Sequence, residues 1–385
     1  MQKNYFFFYL FSVFFAFCFN QNNHPVVLIH GFMGWGREEL GGYYYWGGNY
    51  DLEAELKQDN YEVYSVSVGP ISTNYDRAIE VFYQIKGGQL DYGEKRSKYL
   101  NTEQSPKNKS YDGFFKNWDS SNPIHIIAHS QGGQTAKMLE QLLTSSDQHE
   151  SSYLLKNKLN GWIASITTIS TPHNGSTLIP IMSNILDISL GIIPYYYGIN
   201  IDLFNNYYNF DLEHWGLNKM KGENIITYYR RISNSKVMDP KNNCTWDLSP
   251  EGSMLFNAQY KTDPLTYYFT FSTSSTRLSS DSLTHTPTKE TALRHWPTAK
   301  LMGTYTEALN QSWYENDGIV NTVSMSHPFG EKNKPLHKNL EAGIWQIGKT
   351  YHMDHTKILG HGANVEEWNT ILTFYKEHFA LLYSL

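Results

Sequence analysis

The run Ala128-His129-Ser130-Gln131-Gly132-Gly133 sets one hydroxyl among small residues, directly after the apolar stretch Ile124 to Ala128 and directly before a segment of helical spacing, Gln134 to Leu143. A serine on a tight strand-to-helix turn has its Oγ pushed above the sheet edge, and small neighbours let strand and helix pass closely. Ala128 stands where such turns usually begin with glycine, a departure of one methyl. The chemistry implied is nucleophilic attack, which needs preorganised N–H donors where negative charge develops. The Gln131 N–H, next after the nucleophile, is one donor. A Gly-rich turn after another strand supplies the second: His30-Gly31-Phe32-Met33-Gly34, with the Phe32 N–H as candidate and Gly31 and Gly34 suited to unusual backbone angles. In sheets that carry a serine this way the chain order runs Ser, then Asp or Glu, then His. His355, in Tyr351-His352-Met353-Asp354-His355, follows the last strand-like run, with His352 and His361 as close competitors, and Asp317 lies in the turn Glu315-Asn316-Asp317-Gly318 before apolar Ile319 and Val320. Position alone leaves each of these a candidate.

The elements that must hold them are strands alternating with helices. Pro25 to His30, Tyr61 to Val68, Ile124 to Ala128 and Trp162 to Ile169 are continuous apolar or β-branched runs, as strands covered on both faces are. Between them Asp51 to Gln58, Asn74 to Ile85 and Gln134 to Leu143 carry apolar residues at helical spacing. This alternation predicts an α/β fold, a mostly parallel sheet with helices on both faces. Leu265 to Ser272 and Ala342 to Ile347 read as later strands and Val365 to Leu382 as a closing helix; Lys95 to Ser121 reads as a polar, irregular surface excursion.

Composition narrows the partners. The 385 residues carry 31 Lys and Arg against 37 Asp and Glu, a net charge of -6, which argues against a binder of the phosphate backbone. Tyr5 to Phe19 is almost wholly aromatic and aliphatic, with Lys3 before it and polar Asn20 to Asn23 after it. That is the shape of a secretory signal, so residues 1–20 are expected to be removed, the remainder to work outside the cell, and 21–385 to form a single domain. A bilayer span needs about 20 apolar residues, and no later stretch supplies them. Of the two cysteines, Cys18 falls within the leader, so Cys244 alone remains and no internal disulfide is expected.

The motifs together resemble the secreted triacylglycerol lipases of the staphylococcal and thermophilic-bacillus type. The resemblance runs from Val26 to Trp35 through Tyr45-Trp46-Gly47-Gly48, Asn74-Tyr75-Asp76-Arg77-Ala78, Asp91-Tyr92-Gly93, Ile124 to Thr135, Thr167 to His173, His214-Trp215-Gly216-Leu217, Trp246-Asp247-Leu248-Ser249 and Glu315 to Ser324 to Asp354-His355. It implies the α/β-hydrolase fold, a catalytic triad of Ser130, Asp317 and His355, an oxyanion hole from Phe32 and Gln131, and hydrolysis of triacylglycerol esters at an oil–water interface. It also implies a lid after Thr171-Pro172-His173, spanning about 177–230, whose helix carries Leu178, Ile181, Met182, Ile185 and Leu186 opposite Ser183, Asn184 and Asp187. Exposing about 300 Å² of apolar lid surface to water costs on the order of 7 kcal/mol, which an oil interface offsets, so interfacial activation is expected.

The family's metals are expected to be missing. Relatives hold zinc with two aspartates and two histidines; Asp76 and Asp247 match the carboxylates, but Glu94-Lys95-Arg96-Ser97-Lys98 follows Asp91-Tyr92-Gly93, and no histidine lies between His30 and His125. Two carboxylates do not make a zinc site. Arg96 stands at the spacing of the first missing ligand, and its guanidinium is expected to bridge Asp76 and Asp247. At the family calcium site the matching positions are Lys357 and Gly362, and a lysine is incompatible with calcium. No cofactor is expected. Sequons fall at Asn108, Asn174, Asn243 and Asn310, of which Asn174 is discounted because it adjoins the cleft. Two alternatives stand beside triacylglycerol hydrolysis: a phospholipase, carboxylesterase or acyltransferase on the same scaffold, and a lipid-binding protein without turnover.

Overall fold

A computed structural model describes residues 22–185, 202, 204, 207–280 and 283–385. The expected leader, and the lid helix beyond Ile185, lie outside the described residues.

Seven strands form the central sheet: β1 (Val26–Ile29), β2 (Val63–Val66), β3 (Ile124–His129), β4 (Ile163–Ile169), β5 (Tyr267–Phe271), β6 (Asn333–Pro335) and β7 (Trp345–Ile347). Their spatial order is β6-β7-β5-β4-β3-β1-β2, and every neighbouring pair runs parallel. β1 sits between β3 and β2, with Val26 opposite both His125 and Val63. Side chains alternate across a strand, so Val26 and Leu28 enter one core while Val27 and Ile29 enter the other. Both faces are therefore apolar, and the strands read as unbroken hydrophobic runs.

The helices that bear on the site and its cores include α1 (Leu52–Gln58), α2 (Asn74–Lys86), α3 (Glu94–Leu100), α4 (Gln131–Thr144), α5 (Leu178–Ile185), α6 (Trp296–Met302) and α7 (Val365–Tyr383). Capping sets several starts: Asp51 accepts from the Ala54 N–H, Thr73 from the Asp76 N–H, and Asn364 with Glu367 forms a reciprocal capping box. α2 and α4 pack together on one face of the sheet, and α7 contributes Trp368, Ile371 and Phe379 to the core on the other.

The segment Lys95 to Ser121 departs from its irregular reading. It opens within α3, and Ser110–Tyr111 pairs antiparallel with Gly88–Gln89. α3 has no local side-chain cap; the Glu150 carboxylate, far along the chain, accepts the N–H groups of Glu94 at 2.7 Å and Lys95 at 3.1 Å. That partner is invisible to local pattern. β6 also escapes sequence reading, because Asn333-Lys334-Pro335 has neither length nor apolar alternation, as suits a sheet edge. Cys244 is a buried free thiol, and no helix among the described residues is long and apolar enough to cross a membrane. Asn174 and Asn243 are buried, whereas Asn108 and Asn310 are exposed, so burial closes two of the four sequons in the folded chain.

Candidate active site

Ser130 follows β3 directly and precedes α4, with φ 55 and ψ -129, a backbone region that a residue with a side chain seldom adopts. Its neighbours hold it there. The Ser130 N–H donates to the Ile169 carbonyl of β4 at 2.9 Å, and the Gly133 N–H donates back to the Ser130 carbonyl at 3.1 Å. The small residues are required by clearance: a Cβ on Gly132 would lie 2.4 Å from the Ile29 carbonyl oxygen, and one on Gly133 2.2 Å from Thr171 Oγ1. The strand end and helix start thus aim the hydroxyl out of the sheet, as the motif predicts.

The three sequence candidates meet. Ser130 Oγ lies 2.9 Å from His355 Nε2, and His355 Nδ1 lies 2.8 Å from Asp317 Oδ2. Asp317 is fully buried, and its charge is satisfied on both oxygens: Thr273 Oγ1 donates to Oδ2 at 2.6 Å, and the N–H groups of Ile319 and Val320 donate to Oδ1 at 3.0 and 2.8 Å. A carboxylate so held is an acceptor in a fixed place, which directs the single imidazole proton to Nδ1 and leaves Nε2 as acceptor for the Ser130 hydroxyl. The competing histidines are elsewhere: His352 is exposed, and His361 is a buried bracket whose Nε2 donates to the Tyr45 carbonyl at 2.8 Å.

The turn that carries Phe32 is packed against the serine. A Cβ on Gly31 would stand 2.6 Å from the Ser130 Cβ, so only glycine permits this approach. Met33 at φ 55 continues the turn, and its N–H donates to the Pro70 carbonyl at 2.9 Å. Beneath it the buried Arg77 guanidinium donates to the carbonyls of His30 and Gly69 and to Thr135 Oγ1. Burial, together with the nearby Arg77 charge, pushes His30 down to about 3, so it is neutral; its Nδ1 donates to the Gly31 carbonyl at 2.9 Å and its Nε2 accepts the Val68 N–H at 3.1 Å. Gln131 opens α4, where first-turn N–H groups have no partner within the helix, and its side-chain amide donates to the Ser72 carbonyl at 3.0 Å.

Sequence reasoning missed several supporting groups. Thr273 and Ser170 link the ends of β5 and β4 to the acid, Ser170 Oγ donating to Thr273 Oγ1 at 2.8 Å. His129 and Tyr45, both buried, lie between the Gly31 turn and His355. A threonine at a strand end and a histidine before a serine carry no local mark of function.

The residues at the family zinc position do not fit that metal. Arg96 occupies the Asp76 carboxylate, with Nε 2.5 Å from Oδ1 and Nη2 2.8 Å from Oδ2, and stacks over the Tyr75 ring. Burial drives the Asp76 carboxyl upward, but the charge and hydrogen bonds of Arg96 more than offset it, and the net shift is downward. The expected bridge to Asp247 is not made. Asp247 Oδ2 instead accepts the Asn74 N–H at 2.6 Å, and burial raises its carboxyl to about 6. The α2 N-terminus reaches Asp247 first, because Arg96 spends both contacting nitrogens on Asp76 and on Thr73 Oγ1. Nor does the calcium position fit a cation: Lys357 Nζ itself donates to Glu367 Oε2 at 2.6 Å and to the Gly362 carbonyl at 3.2 Å. Among the described residues no three His, Cys, Asp or Glu side chains are placed to share a metal.

A parallel sheet of this order, with a strained serine at the end of a central strand and an aspartate and histidine delivered by loops beyond it, is the α/β-hydrolase fold. Residues 22–378 match the family described as lipase-like, C-terminal domain, and the chain belongs to it. It is 31% identical over 358 residues to Lipase 1 of Staphylococcus aureus, covering 89% of this chain and 52% of that protein, so the chain spans about half the length of this curated relative. Among solved structures, EstA from Clostridium botulinum superposes with a TM-score of 0.84 at 34% identity, covering 95% of this chain and 88% of that one. Staphylococcus hyicus lipase gives 0.81 at 31% identity, covering 94% and 96%.

Proposed function

We propose that the protein is a secreted serine hydrolase that cleaves the ester bonds of triacylglycerols through an acyl-enzyme. The observation that carries this reading is the 2.9 Å approach of Ser130 Oγ to His355 Nε2, with the opposite ring nitrogen 2.8 Å from a fully hydrogen-bonded Asp317. Ser130 Oγ attacks the ester carbonyl carbon as its proton passes to His355 Nε2. The Asp317 carboxylate stabilises the imidazolium, and the N–H groups of Phe32 and Gln131 receive the developing oxyanion. The C–O bond to the alcohol breaks as His355 returns the proton to the leaving oxygen. Water, deprotonated by the same imidazole, then releases the fatty acid.

The lipid substrate rests on two supports: the relatives named lipases, and a nucleophile only 5% exposed, which an ester reaches after displacement of whatever covers it. α5 starts the segment we assign to a lid within a single domain. Ile181 is buried and Leu178, Ile179 and Met182 are half-buried, and the helix packs against α6. Opening such a helix is unfavourable in water and favourable against oil. Export rests on the apolar run Tyr5 to Phe19.

Fatty-acid release from emulsified triolein by wild type and Ser130→Ala tests the reading. Turnover that vanishes in Ser130→Ala and rises sharply when substrate passes its solubility limit is expected. Turnover that survives Ser130→Ala, or lipid binding without release by the wild type, refutes it.

A further inference from the structure

Three segments that bear on the chemistry are far apart in sequence and share one hydrogen-bonded chain. The Gly31 N–H donates to Tyr45 Oη at 2.8 Å, Tyr45 Oη lies 2.7 Å from His129 Nδ1, and His129 Nε2 lies 2.9 Å from the His355 carbonyl oxygen. All four residues are buried. The ends settle the direction of every proton. A backbone amide only donates and a backbone carbonyl only accepts. His129 is neutral, since burial and the neighbouring His355 hold it well below the usual imidazole range. Its one N–H must face the His355 carbonyl, its Nδ1 must accept, and the Tyr45 hydroxyl proton must point to it while an oxygen lone pair takes the Gly31 amide. No alternative arrangement satisfies all four groups.

We propose that Tyr45 and His129 are positioning residues that lock the Gly31-Phe32 turn, the Ser130 elbow and the His355 backbone into one register for ester cleavage. The inference rests on the reading of Ser130 and His355 given above. Position supports it at each station: Gly31 packs on the Ser130 Cβ, His129 immediately precedes Ser130, and the His129 and His355 rings lie 4.6 Å apart between centroids. The far side of His355 is tied as well, its N–H donating to the Asp317 carbonyl at 3.1 Å. The base is therefore gripped through its own peptide groups, by Asp317 on one side and by His129 on the other. Removing the phenol oxygen leaves the Gly31 amide and His129 Nδ1 without that partner in a dry interior, and the turn can relieve this only by moving relative to Ser130.

The test is stopped-flow reaction with diethyl 4-nitrophenyl phosphate, in which the Ser130 Oγ–P bond forms, the P–O bond to nitrophenolate breaks, and the serine proton passes to His355. The amplitude counts competent sites and the rate reports their alignment. Tyr45→Phe is expected to keep full amplitude while its rate falls roughly 10- to 100-fold, with the ester kcat falling in step and KM staying within about twofold. His129→Gln, which retains an N–H donor for the His355 carbonyl, is expected to react faster than His129→Leu. The double change Tyr45→Phe/His129→Leu is expected to lose little more than the worse single change, because the chain acts as a unit. A wild-type rate at full amplitude in Tyr45→Phe overturns the proposal, as do additive losses. Should Tyr45→Phe not fold, equal rates for His129→Gln and His129→Leu overturn it, and a faster His129→Gln supports it. Ser130→Ala separates the two levels: loss of amplitude there beside an unaffected Tyr45→Phe removes the positioning role alone, while ester turnover surviving Ser130→Ala removes the underlying reading.

Discussion

Arg96→Met removes the cation from a carboxylate that has almost no access to water. Asp76 is 1% exposed, and two of its contacts, at 2.5 and 2.8 Å, come from Arg96. Breaking a buried pair by deleting one partner costs about 3–5 kcal/mol. The Arg96 side chain is 20% exposed, so water screens part of the interaction and the lower figure, about 3 kcal/mol, applies. With an unfolding entropy of about 2.1 cal/mol/K per residue, that loss lowers Tm by about 4 °C in a chain of 385 residues. The loss depends on pH with a definite sign. In the wild type the Asp76 carboxyl sits below its usual range, so its contribution is present above the unfolded value of about 3.9 and is lost as pH falls through the folded value. In Arg96→Met the Thr73 hydroxyl still donates to the carboxylate at 2.8 Å, but burial, the largest influence on Asp76, is no longer countered by the guanidinium, and the carboxyl shifts upward toward its protonated form. The gap between the two proteins therefore opens above about pH 4 and narrows below it. Scanning calorimetry at neutral and acidic pH, each with and without excess EDTA, reads all of this. Wild type is expected to show the same Tm with chelator as without. A neutral-pH Tm for Arg96→Met within about 1 °C of wild type refutes the buried-pair argument, and a chelator-induced drop in the wild type refutes the substitution of guanidinium for metal.

Further expectations concern the site and the core. Asp317→Asn should leave folding intact and lower ester kcat by about four orders of magnitude, because an amide no longer directs the imidazole proton to Nδ1; a loss under tenfold would mean Asp317 does not orient His355. Gly31→Ala sets a methyl 2.6 Å from the Ser130 Cβ and 3.0 Å from the His129 carbonyl oxygen, and the displaced turn should lower kcat roughly 100-fold, whereas an active, stable variant would show the approach is not needed. Glu140, on the buried face of α4, is raised to about 7 by burial, and Tyr268 Oη donates to it at 2.6 Å. Its folded value exceeds its unfolded one, so its contribution is full below about pH 4.3 and is lost as pH rises toward 7, a decline on the order of 3 kcal/mol. Urea unfolding of Glu140→Gln should show a flatter profile across that window, and parallel profiles for the two proteins would contradict it.

Ser130 was legible because its signal is local: an apolar run, a small-residue turn and a helical period adjoin it, and each depends on neighbours within a few residues. The strands were legible for a related reason, since burial on both faces makes Val26 to Ile29 apolar throughout and leaves His125 as the one polar residue in Ile124 to Ala128. His355 was a choice among three histidines that spacing could not make. Only the tertiary structure sets His352 in solvent, ties His361 to the Tyr45 carbonyl and brings His355 to Ser130. The same division explains where spacing misleads. Motif spacing sets Arg96 near both aspartates, but the competition of the Asn74 amide for Asp247 exists only once α2 is folded against that carboxylate. α3 is capped by Glu150 across the chain, and the Gly31–Tyr45–His129–His355 chain joins residues whose separation in sequence exceeds three hundred positions. Covalent order dictates which backbone each stretch prefers, because propensity and periodicity are properties of adjacent residues. Which donor meets which acceptor in the dry interior is decided only when separate stretches pack, because an unmet polar group there is costly and each one must find its partner across the fold.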